Sequence, residues 1–279
     1  MGKVSQRVVH NFLRHDKKFP HVWCAGCSNG TVLGTIIRAI AEQNLDRNNI
    51  TMVSGIGCSS RMPVYIDLNT LHSLHGRAIA FATGIKTYKP GMKVIVVTGD
   101  GDCTAIGGNH LIHAARRNLD LTVIVINNNI YGMTGGQYSP TTPFEAKATT
   151  SPFGNFDTPF DICDLAIGAG ATFVGRSTAF HTIELQKMIV DAMEHKGFSI
   201  IDVVSACPVI YGRMNKKGGP AEMMMAMRDN SILNTAAEKL PPEKVEGKII
   251  RGILKKVDHP EYCERYAELC TKVKEMQHE

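Results

Sequence analysis

Long hydrophobic runs are missing from this 279-residue chain. No stretch approaches the roughly 18 apolar residues that a membrane span requires, and the polar, basic N-terminus has no apolar segment of the kind that directs secretion. Gln6 stands where an N-myristoylation signal needs Ser or Thr, so a lipid anchor is not signalled. No internal repeat and no low-complexity tract occurs, which excludes solenoid and fibrous architectures. Charge of one sign is scarce too. The net charge is +5, and the one small basic group, Arg7, Arg14, Lys17 and Lys18, reads as a solvated face or partner surface rather than a nucleic-acid site. The G-x-x-x-x-G-K-[ST] pattern of a P-loop is also absent.

Cysteine, in contrast, is plentiful, with eight residues in the chain. Without a secretion signal they point to a reducing cytoplasm, where grouped thiols mean metal or redox chemistry more often than disulfides. A hydrophobic content of 43% allows a sizeable core. Strand-like and helix-like stretches alternate with no break before about residue 210, which predicts an α/β fold: a mostly parallel twisted sheet with helices on both faces. The expected division is an N-terminal arm over 1–22, one domain over 23–210 and a partly helical extension over 211–279.

The chain is organised around Gly99-Asp100-Gly101-Asp102 and its downstream companion Asn127-Asn128-Asn129-Ile130-Tyr131-Gly132. The β-branched run 93–98 reads as a buried parallel strand feeding the first cluster, and 121–126 as a second strand feeding the other. A crossover helix is expected between them, starting near Thr104. Both clusters then sit at carboxyl ends of neighbouring strands, where open α/β sheets bind ligands. Asp100, Asn128 and the Ile130 carbonyl offer a hard oxygen set suited to Mg²⁺ holding a phosphate, and the glycines let backbone close on it. A dinucleotide fingerprint would need glycine at its third motif position, where this chain has Thr104.

Two thiols stand in Trp23-Cys24-Ala25-Gly26-Cys27, on a turn before an apolar helix expected over 31–42. Read alone, this is a redox pair, half a zinc site or part of an iron–sulfur site. Cys58 follows a strand at 50–54, and Cys207-Pro208 follows one at 199–204, so four thiols fall in turns at one sheet edge. The opposing reading makes Cys58 and Cys207 small buried hydrophobes. Further strand and helix units are expected at 161–169, 172–175, 181–195 and 198–204. The Thr-, Pro- and Ser-rich stretch 138–159 between them reads as a long loop beside the site.

Gly-Asp-Gly followed, one helix and one strand later, by Asn-Asn resembles the thiamine diphosphate motif. The wider wording, Gly-Asp-Gly-Asp with Asn-Asn-Asn-Ile-Tyr-Gly-Met-Thr-Gly-Gly-Gln, resembles the β subunits of 2-oxoacid:ferredoxin oxidoreductases from about Trp23 to Pro208. The resemblance implies the thiamine diphosphate-binding fold, Mg²⁺ on Asp100, Asn128 and Ile130, and one [4Fe-4S] cluster on Cys24, Cys27, Cys58 and Cys207. Cys103, Cys163, Cys263 and Cys270 match no ligand position. It places the cofactor against Ile56, Gly57, Cys58, Ser59, His75, Gly99 to Asp102, Asn128, Gly132, Met133 and Thr134.

The chemistry so implied is coenzyme A-dependent oxidative decarboxylation of a 2-oxo acid, with electrons leaving singly through the cluster to ferredoxin. The chain has room for the diphosphate half of such a site only. An α subunit carrying the glutamate that contacts the aminopyrimidine ring is therefore expected, in an αβ or (αβ)₂ assembly. Arg61 is a candidate for a substrate carboxylate, with a surface or interface ion pair as the alternative. The Gly132 to Gln137 wording, with small Gly135, looks like the 2-oxoglutarate type; pyruvate or branched-chain 2-oxo acids are second. A reading of another class is a non-catalytic metal- or nucleotide-binding module.

Overall fold

A computed structural model describes residues 8–16 and 20–277; Arg7, Lys17 and Lys18 of the basic group lie outside the described residues. Its frame is one eight-stranded sheet, ordered β2-β1-β3-β4-β6-β5-β8-β7. The strands are β1 (Ile50–Ser54), β2 (Asn69–His72), β3 (Lys93–Gly99), β4 (Leu121–Asn127), β5 (Phe173–Thr178), β6 (Phe198–Val204), β7 (Ser231–Leu233) and β8 (Ile249–Lys256). Every pairing is parallel except that of β5 with β8. The central strands are mostly apolar and buried because they are covered on both sides; all seven residues of β4 are buried.

Alternate residues sort the sheet's neighbours. Met52, Ile95, Val97, Ile124 and Ile201 pack against α1 (Asn29–Glu42) and α6 (Thr182–Glu194). Val53, Val94, Val96, Val123 and Ile200 face α3 (Ala78–Tyr88), α4 (Gly108–Arg117), α5 (Ile162–Gly168) and α10 (Tyr262–Met276). Further helices are α2 (Met62–Tyr65), α7 (Pro220–Asp229), α8 (Asn234–Ala237) and α9 (Pro242–Val245). Among the described residues no helix is long and apolar enough to cross a membrane.

The expected strands at 50–54 and 198–204 are found as such, and those near 93, 121 and 172 with ends shifted by one to three residues. The crossover helix differs. Residues Asp102–Ile106 form a wide, π-type turn, and α4 begins only at Gly108. The cause is local. The Thr104 hydroxyl donates back to the Asp100 carbonyl at 2.7 Å, and Asp102 turns inward to collect hydrogen bonds, which disturbs the first helical turn. The extension after residue 210 is helical in part and also supplies β7 and β8. Within the described part of the arm, Leu13 bridges Ile66, and the Arg14 side chain donates to the Ile66 carbonyl and Thr70.

Candidate functional site

β3 and β4 pair in register from Ile95↔Thr122 to Gly99↔Ile126, so the two polar clusters do leave the sheet side by side. Asp100 is 2% exposed, and its Oδ2 accepts from Ser139 Oγ and Thr141 Oγ1, each at 2.6 Å. Burial pushes its carboxyl up to about 6, against the pull of those hydrogen bonds. A buried carboxylate held in that state is a ready partner for a cation. Asp102 is equally buried. Its Oδ1 accepts from the backbone N–H of Gly76 at 2.7 Å and of Ile56 at 3.3 Å and contacts His75 Nδ1, while Oδ2 accepts from Thr98 Oγ1 at 2.8 Å.

Glycine is required here for close approach. A Cβ on Gly55 would fall 2.1 Å from Asp102 Oδ2, and one on Gly101 would fall 2.2 Å from the Tyr131 ring. Gly57, at φ +122°, has open space where a side chain would be. The turn Ile56 to Ser59, His75, Gly99 to Asp102 and Gly132 to Thr134 line one cavity with Ile130 and Tyr131. That cradle, with a buried carboxylate at its floor and a backbone turn open at Gly57, fits a metal-bound diphosphate.

Of the expected cofactor residues, only Asn128 stays off the cavity wall; its Oδ1 accepts from the Ile130 N–H at 3.3 Å. Arg61 is exposed just past Cys58 and does not line the cavity either. The sequence reading missed Tyr131, whose hydroxyl donates to the Gly101 carbonyl at 3.0 Å and whose ring stands edge-on to His75, 5.9 Å between centroids. Burial raises that phenol to about 12. It also missed Ser139 and Thr141, although the hydroxyl-rich loop that carries them reads as lying beside the site.

Cys24, Cys27, Cys58 and Cys207 line a second cavity, apolar and walled by Trp23, Pro208 and Ile210. Burial and the three neighbouring thiols raise Cys58 to about 11, and burial raises Cys27 as well. Four thiolates this close require positive charge between them. Among the described residues, however, no three His, Cys, Asp or Glu side chains converge closely enough for one metal ion. Four thiols in turns around one apolar cavity are the donor type that an iron–sulfur cluster takes.

The three cysteine-bearing turns are stitched together. Trp23 Nε1 donates to the Cys58 carbonyl at 2.6 Å. Ser28 and Ala206 exchange two bonds, Ala206 N–H to Ser28 Oγ at 2.9 Å and Ser28 N–H to the Ala206 carbonyl at 3.4 Å. Cys58, Gly132 and Met133 belong to both cavities, so a single layer of chain separates them. Cys103, Cys163 and Cys263 are buried away from this group, and all eight cysteines are free.

Residues 55–203 match the family model described as the thiamine pyrophosphate enzyme, C-terminal TPP binding domain. The 2-oxoglutarate synthase subunit KorB of Methanothermobacter marburgensis is 52% identical over 94% of this chain and 92% of its own length. The subunit of the same name from Methanocaldococcus jannaschii is 50% identical over 94% of this chain and 97% of its own. Among solved structures, the 2-oxoglutarate:ferredoxin oxidoreductase of Magnetococcus marinus, with 2-oxoglutarate, coenzyme A and succinyl-CoA bound, superposes with a TM-score of 0.85 at 33% identity, covering 95% of this chain and 90% of that one.

Proposed function

The chain belongs to the thiamine pyrophosphate enzymes, and within them to the 2-oxoglutarate synthase KorB subunits; from that premise we propose that it is the β subunit of a coenzyme A-acylating 2-oxoglutarate:ferredoxin oxidoreductase. The observation that carries this reading is the pairing of the two cavities, one for a metal-bound diphosphate and one walled by four thiols, across a shared layer of chain. When bound, thiamine diphosphate supplies the nucleophile and electron sink that let a 2-oxo acid lose CO₂, and a [4Fe-4S] cluster takes electrons one at a time. A diphosphate enzyme without electron transfer has no use for the second cavity.

The chain's own residues do the following. Asp100, Asn128 and the Ile130 carbonyl would hold Mg²⁺, which would neutralise the diphosphate. Ser139 and Thr141 orient the Asp100 carboxylate by donating to one of its oxygens. Gly57, Gly99 and Gly101 admit the diphosphate to backbone distance. Asp102 fixes the His75 ring through Nδ1 and so holds it at the wall of the cofactor's cavity. Cys24, Cys27, Cys58 and Cys207 would ligate the cluster, and Arg61, exposed just outside the diphosphate cavity, is the candidate partner for a substrate carboxylate. Gly135, at φ +105° with no atom within 4 Å of a would-be Cβ, leaves room for the longer 2-oxo acid.

An α subunit completes the site. The loop 138–160 presents Phe153 at 99% and Phe156 at 84% exposure, with Phe144 and Phe160 also exposed, next to the hydroxyls that hold Asp100. A lone soluble chain rarely leaves so many aromatics in water, and a partner surface explains them. The free thiols fit a cytoplasmic site of action.

The test is anaerobic co-purification of this chain with its α subunit, followed by coenzyme A-dependent reduction of a viologen dye. Activity with 2-oxoglutarate and little with pyruvate supports the reading. Preference for pyruvate keeps the reaction class and overturns the substrate, whereas no activity with any 2-oxo acid, despite bound thiamine diphosphate and iron, overturns the function.

A further inference from the structure

One polar side chain beside the thiols has no part in the reading so far. Asn29 is the first residue of α1 and only 1% exposed. Its amide does not cap the helix: the N-cap is Ser28, and no side chain caps that end. Instead Asn29 Nδ2 donates to Cys27 Sγ at 3.2 Å, while Asn29 Oδ1 is buried without a partner. An unpaired buried carbonyl costs stability, so an apolar residue would serve the fold better at this position. The amide is useful for its N–H alone. The Asn29 backbone N–H also faces the Cys27 sulfur, and both donors favour the charged sulfur over the thiol.

We propose that Asn29 sets the reduction potential of the cluster by donating its buried side-chain N–H to the Cys27 sulfur. The proposal rests on the cluster reading above. Reduction adds one electron to the cluster and makes the ligating sulfurs more negative, so a hydrogen bond to sulfur stabilises the reduced form more than the oxidised form and raises the potential. The donor is 1% exposed and its acceptor, Cys27, lines the apolar cavity, so water competes poorly for the bond. Its geometry is fixed by the fold. Asn29 rides on the first turn of α1, and the preceding residue, Ser28, is tied to the Cys207 turn through Ala206. Asn29 is therefore a positioning residue that acts through Cys27 and touches no substrate.

The experiment uses the enzyme purified anaerobically as the complex with its partner subunit, titrated with dithionite and followed by the electron paramagnetic resonance of the reduced cluster. Asn29→Leu removes the donor and the orphaned carbonyl together. It is expected to keep full iron and sulfide and to favour the oxidised form about tenfold, a fall of about 59 mV for one electron. Resonance Raman should show the Fe–S(Cys) stretches rise as the sulfur loses its hydrogen bond. An unchanged potential at full iron overturns the proposal. If Asn29→Leu loses its cluster, Asn29→Ala takes its place with the same two outcomes, and loss of iron from both overturns the proposal in favour of a role in cluster assembly. Wild-type complex that carries no iron and sulfide overturns the cluster reading itself, which separates that failure from failure of the role given to Asn29.

Discussion

Asp100→Asn should make the metal-free protein more stable while stripping it of cofactor. The reasoning starts from the raised carboxyl: burial lifts Asp100 from 3.8 to about 6 despite hydrogen bonds from Ser139 and Thr141. That is roughly two pKa units, and at about 1.4 kcal/mol each the ionised group costs the folded state about 3 kcal/mol at neutral pH. The sign follows from proton uptake. Below about pH 4 the acid is neutral in both folded and unfolded chains and the cost is absent. It grows between 4 and 6, where the folded protein holds the proton that the unfolded one has released, and is complete above 6. Asparagine has the same shape, carries no charge at any pH and can still accept from both hydroxyls. Urea unfolding of chelator-treated protein should therefore show the variant ahead by up to about 3 kcal/mol at pH 7.5 and level with wild type near pH 4. Thiamine diphosphate retained in the presence of Mg²⁺ should fall by more than roughly tenfold, since the anionic ligand is gone. Iron content should hold, because Asp100 lies outside the thiol cavity. A variant less stable than wild type at pH 7.5, or a stability gap that ignores pH, would refute the reasoning.

Cys207→Ser should lose most of its iron and Cys103→Ser should keep it, as measured by iron and sulfide analysis; full iron in both would remove Cys207 from the ligand set. Arg176 donates to buried Asp202 at 2.8 Å and to Asp161 at 2.5 Å. Arg176→Leu alone should cost about 3–5 kcal/mol in chemical denaturation by leaving Asp202 unpaired, while adding Asp202→Leu should recover most of that; equal losses in the single and double variants would mean the pair is not coupled. Phe153→Glu combined with Phe156→Glu should weaken association with the α subunit at least tenfold by gel filtration and leave iron content intact; an undiminished complex would move the interface elsewhere.

The sheet's centre was legible because β1, β3, β4 and β6 are short apolar runs ending in glycine, asparagine or a cysteine turn, which is how strands buried on both faces read. β2 was not. Its Asn-Thr-Leu-His sequence carries no apolar alternation, and it forms a half-exposed edge held by pairing with β1. β8 escaped notice for a related reason: Ile249–Lys256 mixes apolar residues with Arg251 and two lysines, as an outlying antiparallel strand can, and it sits in a stretch whose charge suggests helix. The four thiols were found individually from their turns, but their convergence in one cavity depends on contacts between residues up to 183 apart, which no local pattern encodes. Tyr131, Ser139 and Thr141 were hidden because their roles exist only once the loop folds back over the end of β3.

The layer of chain at Gly132 and Met133 that separates the two cavities has a consequence for how this enzyme can diversify. Gly132, Met133 and Thr134 line the diphosphate cavity, and the first two of them also wall the thiols. A Cβ added at Gly132 would lie 3.6 Å from Cys207 Sγ and 3.9 Å from Cys58 Sγ. Under the function proposed above, a change at Gly132 that reshapes the acid's site presses on the sulfurs at once, so substrate preference and cluster potential would change together.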